Sequence, residues 1–252
     1  ALVLGLGVLL PVLAFGLLRG LGFDRVNAAA VAAHYGSVSA GTFAVVVAYM
    51  VAKGIDYESY MPLFVAILEI PAILVGILLA KGLARDTNWR GLGREIFLGK
   101  RLMLLRGGLI IGAIAGKEAS QPVAPLYTSM FKPVLAFFLL EMGLIASGQL
   151  GALKQYGVRL LSFALLMPLF GALIGALLAR FMGLSLGGTT VLATLSASAS
   201  YIAVPAAMRL AVPQANPSLS LTASLGITFP FNILVGIPLY LLLSEKLIAW
   251  GY

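Results

Sequence analysis

Apolar positions in this chain do not alternate with polar ones at the period of a surface helix or a half-buried strand. They come in long runs. A helix needs about 20 mostly apolar residues to cross the hydrocarbon core of a bilayer. Runs of that kind fall at 1–18, 27–52, 60–80, 102–115, 127–150, 158–180, 187–211 and 218–244. The pattern predicts an all-α, polytopic membrane protein. The first run starts at Ala1 with no basic flank before it, so it reads as a span and not as a signal peptide, and the sequence reads as lacking N-terminal residues.

Two small-residue stretches interrupt this pattern. His34-Tyr35-Gly36-Ser37-Val38-Ser39-Ala40-Gly41-Thr42 and Thr194-Leu195-Ser196-Ala197-Ser198-Ala199-Ser200-Tyr201 are rich in Gly and hydroxyls, and Pro205 follows the second. Glycine loosens the backbone, and Ser and Thr compete for its hydrogen bonds. Both stretches are expected to break their helices. Backbone freed at membrane depth must be buried or line a wet cavity.

The breaks recur with a period. Ile73-Leu74-Val75-Gly76-Ile77 returns 160 positions later as Ile233-Leu234-Val235-Gly236-Ile237. The same offset lays Ser37–Thr42 on 197–202, Asp56 on Asn216, and Pro71 close to Pro230. Counting spans, the two copies start on opposite sides of the membrane. Related units of opposite orientation mark an inverted-repeat secondary transporter, with its site near the midplane. The domain reading is a first, incomplete transmembrane repeat at 1–80, a basic linker at 81–106 and a second repeat at 107–252. The two broken helices are expected to cross near the membrane midplane.

Charge orients this arrangement. The linker holds Lys81, Arg85, Arg90, Arg94, Lys100, Arg101 and Arg106, which marks its side as cytoplasmic. Alternating outward from it, twelve of the 17 Lys and Arg fall inside and five outside. The net charge of +8 is therefore read as a topology signal, with no nucleic-acid partner. Only 10% of residues are charged, against about 25% in soluble domains. There is no Cys and one His, which excludes disulfides, thiol catalysis and a two-His zinc site. No G-x-S-x-G motif is present either, so an intramembrane enzyme is set aside.

A few polar residues inside the runs carry candidate chemistry. Glu69, in Leu68-Glu69-Ile70-Pro71, sits in mid-span, where a carboxylate must be paired, protonated or bound to a cation. Glu141 is a second case, facing Lys132 or Arg106 as a structural pair. His34 reads as a core histidine bridging helices, and Arg209 as an anchor snorkelling to the interface. Asn216 or Ser218 reads as the cap that opens the last helix. Half-helix N-termini suit a small anion, and hydroxyls with freed carbonyls suit sodium.

At these residues the sequence resembles the sodium-dependent bicarbonate transporter family. The resemblance lies in Gly36-Ser37-Val38-Ser39, Glu69-Ile70-Pro71-Ala72, Ser198-Ala199-Ser200-Tyr201-Ile202-Ala203-Val204-Pro205 and Ala215-Asn216-Pro217-Ser218. It spans roughly 22–80 and 127–245. It implies two inverted five-helix repeats, of which this sequence would start at the third span. It also implies a homotrimer with core and gate domains in the cell (inner) membrane, and a cytoplasmic PII-like regulator in some members. By the same resemblance, Gly36, Ser37, Ser39, Ser196, Ser198 and Ser200 bind the anion. Thr42, Glu69, Ser200 and Tyr201 bind sodium, and no organic cofactor is involved. Glu69 replaces an Asp of that family, and Tyr201 stands where members carry another Asp. The function implied is sodium-coupled symport of a small inorganic anion, most of all bicarbonate. The alternatives are a proton-coupled or exchange carrier using Glu69 or His34, and a non-transporting membrane scaffold.

Overall fold

The computed structural model describes residues 2–82, 93–94 and 100–249. Of the basic segment 81–106, Arg85 and Arg90 lie outside the described residues. The described residues form helices joined by short connections, with no strand among them. The longer ones in chain order are α1 (Leu2–Gly20), α2 (Arg25–Gly36), α3 (Ala40–Lys53), α4 (Met61–Lys81), α5 (Lys100–Ser120), α6 (Phe131–Phe181), α7 (Leu186–Ala197), α8 (Ala203–Ala211) and α9 (Pro217–Ala249), with short turns of helix at Gln121–Val123 and Ala124–Tyr127 between α5 and α6. The long helix α6 is divided by Gly157, whose backbone is left-handed (φ 70°).

Among the described residues six segments are long and apolar enough to cross a membrane: Leu2–Gly20, Arg25–Lys53, Met61–Lys81, Phe131–Gln149, Tyr156–Phe181 and Pro217–Ala249. The sequence pattern predicts eight. The run at 102–115 falls short because its apolar helix, Arg106–Gly116, ends where Gly116 turns left-handed (φ 65°). The run at 187–211 is split between α7 and α8.

The start of each central helix follows from a capping residue. Asp24, Ser39, Ser185 and Asn216 each adopt extended backbone and accept a hydrogen bond from an N–H two or three residues on: Asn27, Thr42, Gly188 and Ser218. These are the residue types that satisfy the orphan donors of a first turn. Helices α1 and α6 end alike. Gly22 and Gly183 turn left-handed, and their N–H groups bond back to the Arg19 and Arg180 carbonyls. The next residues, Phe23 and Leu184, bond to Leu18 and Ala179. This double closure is the Schellman ending.

These matched ends lie 161 positions apart (Gly22 and Gly183, Asp24 and Ser185, Ser37 and Ser198), not at the 160 of the pentapeptide. The non-helical link is Ser37–Ser39 in the first case and Ser198–Ile202, two residues longer, in the second, so the helices that follow start 163 positions apart, at Ala40 and Ala203.

The core is built around α2 and α7. Every residue of α2 from Ala28 to Gly36 is buried, as is every residue of α7 from Gly187 to Ala197. Helix α1 buries Val3, Leu6, Leu10, Ala14 and Leu18, spaced three or four apart, and exposes Leu9, Leu13 and Leu17. Such one-sided apolar exposure is what a helix between a protein core and lipid tails requires. Small residues set the spacing. A Cβ on Gly36 would strike the Pro11 ring, and one on Gly171 or Gly175 would strike Ser196.

The bundle has two distinct ends. At one, Arg25 Nε donates to the Leu79 carbonyl (2.8 Å), the Asn216 N–H donates to Asn27 Oδ1 (2.7 Å), and Asn216 Nδ2 donates to the Tyr156 hydroxyl (2.9 Å). At the other, the Glu58 carboxylate accepts from the Ser185 N–H (2.7 Å) at the start of α7. The charge count assigns the residues meeting at each end to one side of the membrane.

Candidate functional site

Helices α2 and α7 start at opposite ends of the bundle and stop against one another. Just past their C-termini the two non-helical links touch. The Ser39 N–H donates to Ser198 Oγ (3.0 Å), and that hydroxyl donates to the Leu195 carbonyl (2.8 Å). The Ser200 N–H donates to the His34 carbonyl (2.8 Å). His34 Nδ1 lies 2.6 Å from the Ser200 carbonyl. A carbonyl only accepts, so Nδ1 carries the hydrogen. His34 thus ties the last turn of α2 to the second link.

This junction is dry of charge and rich in hydroxyls. Ser37, Ser39, Thr42, Ser196, Ser198 and Ser200 are all buried. The hydroxyls of Ser37, Ser196 and Ser200 have no hydrogen-bond partner among the described residues. A buried hydroxyl without a partner is costly. Ser196 Oγ faces Gly175 of α6, while Ser37 and Ser200 stand on the two links themselves, where that cost needs a physical reason. The start of α8 adds to it. Ile202 caps that helix without a side-chain hydrogen bond, so its first N–H groups lack the acceptor that Ser39 gives α3. Uncapped N–H groups and the helix dipole make an anion-attracting spot.

Glu69 is buried in the middle of α4. Ala72, one turn along the same buried face, packs so closely that a Cβ on Gly36 would lie 2.9 Å from its methyl. The carboxylate therefore belongs to the helix face that packs on the end of α2. Gly36 itself is explained by this packing between Pro11 and Ala72. Tyr201 lies to one side. Its ring meets Phe229 edge-on at 5.2 Å, and its hydroxyl adjoins Gly41. Glu141 is exposed on α6. Among the described residues no group of three or more His, Cys, Asp or Glu could hold a metal ion.

Several contributors are missing from the sequence reading. Asn232 is fully buried in α9. Its Nδ2 donates to the Ala197 carbonyl (3.0 Å), the last of α7, and its Oδ1 accepts from the Tyr240 hydroxyl (2.7 Å). Tyr35 and Thr228 share a 2.6 Å hydrogen bond, and Thr228 donates to the Ala164 carbonyl (2.7 Å). Thr228 and Asn232 belong to two π-helical stretches, Thr222–Thr228 and Asn232–Gly236. Such stretches are over-represented at functional sites. A polar residue inside an apolar run was the available signal for Asn232.

Two comparisons bear on this geometry. The sequence model of the Na+-dependent bicarbonate transporter superfamily matches residues 1–245. No curated protein matches the chain.

Proposed function

The chain belongs to the Na+-dependent bicarbonate transporter superfamily, and from that premise we propose that it is a sodium-coupled symporter of a small monovalent anion, with bicarbonate as substrate. It is a multi-pass membrane protein, a carrier by family and not an enzyme. Its place is the cell (inner) membrane.

The observation that carries this reading is the meeting of two helix ends in a nest of buried hydroxyls. Helices α2 and α7 have 12 residues each, about 18 Å of helix, set in a bilayer core of about 30 Å. Entering from opposite sides, they meet near the midplane as the broken helices of an inverted repeat. The starts of α3 and α8 then point at the same spot. Ser37, Ser39, Ser198 and Ser200 surround the anion, and Gly36 lets α2 end close against Pro11 and Ala72. Glu69, Thr42, Ser200 and Tyr201 supply oxygens for sodium, a hard cation. Sodium offsets the charge of both Glu69 and the anion, which couples the two.

Uptake of labelled bicarbonate into proteoliposomes of the full-length protein tests the proposal. An inward sodium gradient at fixed pH should drive accumulation. Uptake that follows a proton gradient and ignores sodium overturns the coupling. Absence of uptake under both gradients overturns the carrier. A homotrimer and a PII-like partner at the basic segment 81–106 belong to the same proposal, read by native mass and by co-purification.

A further inference from the structure

A cavity of about 110 Å³ lies between α2, the end of α8 and the turn into α9. Water occupies about 30 Å³ per molecule, so the cavity holds three or four waters, or one small oxyanion. Ala30 and His34, one turn apart on α2, form its wall from the Asn27–Asn216 end of the bundle inward. Asn216 and Ser220 line it from α9, and Arg209 from α8. Among the described residues no carboxylate lines it. Arg209 is exposed and has neither an ion pair nor a hydrogen bond among the described residues. On the far side of His34 lies Ser200, bound to it twice.

The arrangement combines a mostly apolar cavity into which His34, Arg209, Asn216 and Ser220 bring polar groups, an exposed guanidinium without a partner among the described residues, and an inner wall at His34, which holds the second link through Ser200. We propose that this cavity is the water-filled vestibule through which a small anion reaches the junction, with Arg209 recruiting the anion and the His34–Ser200 clamp closing the inner end. This rests on the carrier reading above. An Arg that only snorkels to the interface holds its charge in bulk water and does not set the potential inside a cavity. A guanidinium at the rim of a low-dielectric recess focuses its field there and raises the local anion concentration.

The chain has no cysteine, so introduced thiols report without background. The test places Ala30→Cys in the wall and Ala215→Cys nearer the rim of the full-length protein, each with Arg209 and with Arg209→Gln. Each is labelled with anionic methanethiosulfonate ethylsulfonate and with the cationic trimethylammonium analogue, rates being normalised to a free thiol. With Arg209, Ala30→Cys should favour the anionic reagent. Arg209→Gln should lower the anionic-to-cationic ratio by about fourfold or more, the size expected of one charge about 10 Å away in a partly aqueous recess. An Ala30→Cys thiol that stays inert while Ala215→Cys reacts overturns the vestibule. An unchanged ratio in Arg209→Gln overturns the role of Arg209. Labelling needs no transport. Failure of sodium-driven uptake therefore leaves this result readable, and failure of labelling leaves the carrier reading intact.

Discussion

His34 and Ser200 hold one another by two bonds of different kind. One runs from the imidazole to the Ser200 carbonyl (2.6 Å), the other from the Ser200 N–H to the His34 carbonyl (2.8 Å). Only the first depends on a side chain. His34→Ala should leave a buried carbonyl without its partner, at a cost of about 1–3 kcal/mol. A melting temperature lowered by several degrees in detergent is the expected readout. His34→Gln, which keeps a donor, should recover part of it. Equal melting temperatures for all three proteins would show that the imidazole bond contributes nothing.

Glu69 and Ser198 should separate by ligand. Glu69→Gln is expected to raise the sodium concentration for half-maximal uptake. By reciprocity of coupling, it also weakens anion affinity at fixed sodium. Ser198→Ala strands the Ser39 N–H, and should chiefly raise the half-saturating bicarbonate concentration at saturating sodium. Ser39→Ala should act in the same direction. A well-folded Glu69→Gln protein with unaltered sodium dependence would remove Glu69 from the cation site.

Packing at the junction predicts which glycines are irreplaceable. A methyl at Gly171 would run into the Ser196 carbonyl, and one at Gly36 into Pro11. Gly36→Ala and Gly171→Ala should each destabilise by about 1–3 kcal/mol or more. Gly108, in α5, has nothing within 4 Å of a built Cβ. Gly108→Ala should stabilise by up to about 1 kcal/mol through helix propensity. Thermal unfolding of the three variants side by side distinguishes these outcomes.

The cap at Asp24 carries a pH signature. Partial burial pushes its carboxyl up, but the hydrogen bonds from Asn27 and neighbouring backbone N–H groups outweigh this and hold it below the ordinary 3.8. A depressed carboxylate contributes stability above its unfolded pKa and loses it as pH falls through the folded value. Asp24→Ala should cost about 0.5–2 kcal/mol at pH 7, and the gap to wild type should shrink below about pH 4. Asp24→Asn, which caps without a charge, should stay close to wild type at pH 7. Unfolding from pH 7 to 3 reads both.

Much of this architecture is legible in the residues themselves. Apolar run lengths give the long helices, and Asn216 reads as the cap of the last helix, which it is; the caps at Asp24, Ser39 and Ser185 are seen only in the fold. Packing at a distance is not legible in the same way. Gly171 and Gly175 look like any membrane glycines until Ser196 is seen against them. Glu58 looks like a loop carboxylate until it is found at the start of α7. The helix ends and caps at Gly22 and Gly183, Asp24 and Ser185, and Ser37 and Ser198 match at 161, an offset that the pentapeptide at 160 does not announce. Asn232 stands one position before that pentapeptide, and its burial against the Ala197 carbonyl and Tyr240 is visible only in the fold.

The junction also sets a clock for the making of the protein. Ser39 waits for a hydroxyl from Ser198, and His34 for the backbone of Ser200, both some 160 residues further along. Ribosomes add about 5–20 residues per second, so the two links are born roughly ten to thirty seconds apart. Through that interval the Ser39 N–H and the His34 imidazole lack the partners that the finished fold gives them. The second half is therefore the folding partner of the first, and a chain stopped between the two links should be recognised as unfinished and degraded.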